Sequence, residues 1–209
     1  DPRAYDVITG KLVWRFSTVP RPGERNAGSW GAEGWKDRAG PSSWGMYSLD
    51  EKTGTVFIPV GKPADSYIGT DRPGDNLYSD SIIALDAATG KRRWHYQMVH
   101  HGLWDYDDAA PPALVDLTVQ GKTVPALVEV TKQGLMFILD RRTATMLVGG
   151  HAQTAGILRR FFKVTELDAA RSAELDAGDK IRPSPLAVIV MDICELPLAG
   201  RPDEVVAAH

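Results

Sequence analysis

Ala84-Leu85-Asp86-Ala87-Ala88-Thr89-Gly90-Lys91-Arg92-Arg93-Trp94 repeats a pattern already present near the start of the chain, Ala4-Tyr5-Asp6-Val7-Ile8-Thr9-Gly10-Lys11-Leu12-Val13-Trp14. Both stretches read Ala-x-Asp-x-x-Thr-Gly-Lys-x-x-Trp. The shorter core, Asp-x-x-Thr-Gly, recurs at Asp50-Glu51-Lys52-Thr53-Gly54. A fourth copy, Asp140-Arg141-Arg142-Thr143-Ala144, has lost its glycine. Asp and Thr side chains bond to nearby backbone N–H groups and close a tight turn. The glycine takes the positive φ that lets the next strand leave antiparallel.

The flanks of these turns read as strands. Ser81–Leu85 leads into one turn and Arg92–Tyr96 leads out of it. Thr55–Val60 is a continuous apolar run. Ala113–Val119 and Thr123–Val130 flank Gln120-Gly121, a hairpin signal, and Gly134–Leu139 is a further strand. The copies are spaced by about 35 to 55 residues, which fits one four-stranded propeller blade per copy. The expected fold class is therefore all-β. After Thr143 the texture changes. Thr165-Glu166-Leu167-Asp168 reads as a helix cap, Ala169–Ala177 has helical composition that Gly178 would end, and Leu186–Ile193 reads as a strand. The chain thus divides into a repeat region, 1–143, and an αβ-like tail, 144–209, expected to be foreign to the parent fold through a frameshift, a fusion or a damaged gene.

The 209 residues carry a formal net charge of -3 and are 43% hydrophobic, as in an ordinary globular protein. No basic stripe marks a nucleic-acid binder. The single cysteine, Cys194, excludes an internal disulfide. No apolar run approaches the roughly 18 residues of a membrane helix. The chain opens on Asp1 rather than Met, with no signal peptide, so Asp1 is not expected to be the native start.

The residues that carry chemistry lie in Val99-His100-His101-Gly102-Leu103-Trp104-Asp105-Tyr106-Asp107, with Thr131-Lys132 on a later strand. A carboxylate stands there beside aromatic rings, two imidazoles and a lysine, the parts of a redox or acid/base site. His100 and His101 are adjacent, so on a strand they point to opposite faces and do not share one ion. Trp44, in Pro41-Ser42-Ser43-Trp44-Gly45-Met46, offers a wide flat surface for stacking. Trp30 and Trp35 receive no role.

Together the repeated turns, the Trp-Asp pair and the downstream lysine resemble the quinoprotein dehydrogenases, which are β-propellers using pyrroloquinoline quinone (PQQ). The resemblance covers about residues 4–143 and implies roughly three blades of an eight-bladed fold, each repeat tryptophan packing between neighbouring blades. It implies Asp105 as the general base that takes the alcohol proton while hydride passes to the quinone. It makes Lys132 a contact of the quinone oxygens and Trp44 the floor on which the cofactor rests. It also implies Ca²⁺, or a lanthanide in one branch, with Asp105 and Asp107 as candidate metal ligands. A further ligand usually lies in a Gly-Asn-Pro segment, where this chain has Gly61-Lys62-Pro63, and a protonated lysine cannot ligate a cation. Sugar-oxidising relatives often carry Asp where this chain has Gly102, and Asp71-Arg72-Pro73-Gly74-Asp75-Asn76 resembles a loop near their pocket. The implied substrates are alcohols, polyols or aldoses, the implied acceptor a quinone or cytochrome, and the implied compartment the periplasm. A non-enzymatic propeller segment is the rival expectation, and this chain alone is expected to show no turnover.

Overall fold

A computed structural model describes residues 1–36, 40–64, 67–119 and 121–148, and two short strands at 162–163 and 192–193. It is built from antiparallel strands. The hairpin β1 (Arg3–Tyr5) and β2 (Leu12–Arg15) comes first. Next is a four-stranded meander of β3 (Ser48–Asp50), β4 (Thr55–Val60), β5 (Ser81–Asp86) and β6 (Arg92–Gln97). A second meander holds β7 (Ala113–Val119), β8 (Lys122–Val130), β9 (Met136–Asp140) and β10 (Met146–Val148). The strands β11 (Phe162–Lys163) and β12 (Asp192–Ile193) pair antiparallel with each other. The expected tail helix and most of the expected tail strand lie outside the described residues. Among the described residues before position 149 the helical content is one 3₁₀ turn, Ala27–Trp30. Among the described residues, no helix is long and apolar enough to cross a membrane.

The apolar runs are continuous because the first meander is covered on both faces. Along β4 and β5 the side chains alternate. Phe57, Ile82 and Ala84 join Trp94, Leu127 and Leu139 in a core shared with the second meander. Ile58, Val60, Ile83 and Leu85 pack the other way, with Tyr78, Trp14 and Phe16 of the N-terminal side. Each sheet is thus a layer between layers, as in a propeller.

The repeated turns close as expected. Asp6 Oδ1 accepts the Thr9 N–H at 2.7 Å and the Thr9 hydroxyl at 2.8 Å; Asp86 Oδ1 accepts the same pair from Thr89 at 2.9 Å each. Gly10 and Gly90 take φ of 68° and 69°, and Ala144 holds the same conformation at 61°. Trp14 Nε1 donates to Ala87 O at 2.9 Å, and Trp94 Nε1 to Arg141 O at 3.0 Å. Each indole therefore seats on the equivalent turn of the following sheet. A Cβ at Gly90 would lie 2.6 Å from the Trp14 ring, so only glycine admits that indole. Arg141 also bridges Asp50 and Asp116, at 3.2 Å each, across the two meanders.

One expectation is corrected. The Asp50 turn joins β3 to β4 inside the same sheet as the Asp86 turn, so it does not mark a separate blade. The Asp6, Asp86 and Asp140 turns join equivalent strand pairs. The repeat region before position 149 is two complete sheets and a hairpin equivalent to the outer half of a third. Strand β9 starts at Met136 rather than Gly134, because Gly134 closes a turn by donating to Thr131 O at 3.0 Å, with φ 73°.

Candidate functional site

Three loops converge at one end of the sheets. They follow β4 (Gly61-Lys62), β6 (Gly102–Asp108) and β8 (Thr131–Gly134). The β6 loop is pinned by the preceding polar turn. The fully buried Arg72 donates through Nη2 to Gly102 O at 2.8 Å and through Nη1 to Asn76 Oδ1 at 2.5 Å. His101 Nδ1 lies 2.8 Å from Gly74 O, and His100 Nδ1 lies 3.6 Å from Asp75 Oδ1. The two histidines stand in a turn, not on a strand, and go to separate partners.

Asp105 sits at φ 60° with its side chain one-third exposed. Its Oδ1 is 2.7 Å from Lys62 Nζ, and its Oδ2 is 3.4 Å from Lys132 Nζ. Lys132 Nζ also donates to Asp105 O at 3.0 Å and Asp107 Oδ2 at 2.8 Å. Asp107 is buried, and its Oδ1 accepts the Lys62 backbone N–H at 2.8 Å. The Lys62 hydrogen bond holds the Asp105 carboxyl below its ordinary pKa range. The bond to Asp105 raises Lys62, and the bond to Asp107 raises Lys132.

Trp44 is 61% exposed and Trp104 is 68% exposed. The segment carrying Trp44 runs beside the site: Ser42 O accepts the Gly61 N–H at 2.8 Å, and a Cβ on Gly45 would meet Ala109 O. The structure thus brings Asp105, Asp107, Lys62 and Lys132 into direct contact and sets the Trp44 segment beside them. Two free indole faces and two ammonium groups suit a flat, multiply anionic quinone. The donor set does not suit a divalent cation. Each oxygen of both carboxylates already faces a lysine N–H donor, and Lys62 brings positive charge. Among the described residues, no group of three acids, histidines or cysteines could hold a metal.

Sequence reasoning missed a set of buried carboxyls behind this site. Asp80, Asp108 and Glu129 are almost wholly buried, and none of their carboxyl oxygens has a hydrogen-bond partner among the described residues. Burial, then the Asp107 charge, pushes Asp80 up to about 7. Burial, then Asp108, pushes Glu129 up to about 9. Burial raises Asp108 well above the carboxylate range. A usable signal was present at Glu129, which shares a strand face with the buried Leu127.

The family described as glucose/ethanol/alcohol dehydrogenase, beta-propeller domain, with PQQ as its short name, matches residues 1–152. The chain is 44% identical over 147 residues to the quinate/shikimate dehydrogenase (quinone) of Acinetobacter baylyi, covering 69% of this chain and 18% of that protein. It is 39% identical over 148 residues to the quinoprotein glucose dehydrogenase of Escherichia coli, covering 70% and 18%. Among solved structures, the quinohemoprotein alcohol dehydrogenase ADHIIG from Pseudomonas putida HK5 superposes with a TM-score of 0.66 at 31% identity, over 71% of this chain and 23% of that one. A europium-containing methanol dehydrogenase gives a TM-score of 0.62 at 33% identity, over 70% and 28%. The chain spans about a fifth of the length of these curated relatives.

Proposed function

Because the chain belongs to the PQQ-dependent glucose/ethanol/alcohol dehydrogenase β-propeller family, we propose that it is the part of such an enzyme that carries the catalytic base and a wall of the quinone pocket. The substrate class is an alcohol, polyol or aldose. The single observation that carries this reading is the Asp105 carboxylate held between the ammonium groups of Lys62 and Lys132, at 2.7 and 3.4 Å.

When bound, the quinone supplies a two-electron acceptor for hydride from the alcohol carbon. Asp105 accepts the hydroxyl proton at a carboxylate oxygen, so the alcohol leaves as a carbonyl compound. Lys62 keeps that carboxylate ionised, at some cost in basicity. Lys132 holds the Asp105 main chain and Asp107 together and presents positive charge where negative charge develops. Trp44 and Trp104 offer apolar faces that orient a planar ring and exclude water. By kinship the parent enzyme works in the periplasm and passes electrons to a quinone or a cytochrome.

Quenching of tryptophan fluorescence by PQQ tests this reading. The chain should quench saturably, and the Asp105→Ala, Lys132→Ala double variant should bind at least about tenfold more weakly, the loss of a charge-assisted contact. Equal quenching of both proteins would instead favour a non-enzymatic propeller segment.

A further inference from the structure

The resemblance places a cation where this chain places lysine. Lys62 cannot ligate a metal while protonated, because an ammonium only donates. Its Nζ meets Asp105 Oδ1 at 2.7 Å, and its own N–H meets Asp107 Oδ1 at 2.8 Å. Lys132 Nζ faces the remaining oxygens, Asp107 Oδ2 at 2.8 Å and Asp105 Oδ2 at 3.4 Å. Two carboxyl groups and two lysines make a hydrogen-bonded quartet. Ca²⁺ would need about six to eight oxygen ligands, and these oxygens are already taken. The backbone also crowds one carboxylate: a Cβ on Gly61 would fall 2.3 Å from Asp107 Oδ1.

We propose that in this protein the ammonium groups of Lys62 and Lys132 replace a divalent cation, and that the Asp105–Asp107 site works without metal. The inference rests on the quinone-site reading above. Lys62 becomes a residue that touches both the base and the cofactor, supplying the charge through a hydrogen-bonding head rather than through coordination. The exchange is chemically consistent, since an ammonium stabilises negative charge on a quinone oxygen as a cation does, while donating protons to it.

Terbium luminescence sensitised by Trp44 and Trp104, calcium calorimetry and quinone quenching together test the proposal. The wild-type chain should show no Tb³⁺ or Ca²⁺ binding that Asp107→Asn removes. Quinone should quench equally in EDTA and in excess Ca²⁺. Lys62→Asn should weaken quinone binding in EDTA at least about tenfold. Lys62→Arg, which keeps the charge, should retain binding and controls for misfolding. Metal binding lost in Asp107→Asn, or quenching that requires Ca²⁺ in the wild type, would overturn the proposal while leaving the quinone reading intact. Unchanged affinity in Lys62→Asn would overturn it too. If quinone quenches under no condition, the quinone reading fails, and the Tb³⁺ result alone decides whether the quartet excludes metal.

Discussion

Glu129 stands on β8, almost wholly buried, with neither carboxyl oxygen hydrogen-bonded among the described residues. A carboxyl so placed keeps its proton, because the charged form loses its hydration and gains nothing in return. Its pKa rises from 4.5 to about 9. The sign of the linkage follows: a group whose folded pKa is raised contributes stability that is fully present below the unfolded pKa and is lost as pH climbs through the folded one. Wild-type stability should therefore fall between pH 4.5 and about 9, and Glu129→Gln should flatten part of that fall. Urea melts across the range measure it; parallel slopes for the two proteins would refute the assignment. The site itself was more legible than this carboxyl. Asp105 and Lys132 could be picked out because the Trp104-Asp105 pair and the lysine downstream of it together resemble the pattern of a known family. Burial of Asp80 and Asp108, outside the strands, depends on which segments cover them, and only assembly decides that. Strain gathers here as well. Asn76, Asp80, His101 and Asp105 all hold positive φ, from 47° to 60°, on the loops around the site, as backbone at functional sites often does.

The repeated hairpin is the element on which the sheets lock. Trp94 is buried in the core between the two meanders and donates to Arg141 O. Trp94→Phe keeps most of the apolar contact but leaves that carbonyl unpaired, costing about 1 kcal/mol. Trp94→Ala empties the site and should cost about 3 kcal/mol or more. Thermal melts of both variants check the order, and equal losses would mean that the apolar packing of the ring adds nothing to the hydrogen bond. Strand positions and turns were readable because their signals are local: an aspartate, a threonine, a glycine with positive φ. The blade count was not readable. The Asp50 turn carries the same Asp-x-x-Thr-Gly motif as the Asp6 and Asp86 turns yet joins a different pair of strands. Turn chemistry specifies a reversal and says nothing about where in the sheet the reversal falls.

At the largest scale, the described residues before position 149 form an arc of two sheets and a hairpin. The outer face of the second meander carries its own apolar cluster, Leu117, Ala126, Met136 and Ile138. The chain matches about a fifth of its curated relatives, so most of a cofactor pocket would come from elsewhere in a full-length enzyme. The 209-residue chain should therefore show no measurable dye reduction with glucose, ethanol or glycerol, with quinone added and Ca²⁺ present or absent. Turnover in that assay would show that the arc alone is a sufficient catalyst.

The docking of the indoles has a direction. Trp14 reaches to Ala87 and Trp94 reaches to Arg141, always towards residues made later. Each indole can seat only once the turn that follows it has formed, like a ratchet engaging tooth by tooth. Position 148 occupies the register of Trp14 and Trp94 but carries valine. There the ratchet has no tooth, and the second meander receives an indole without offering one onward.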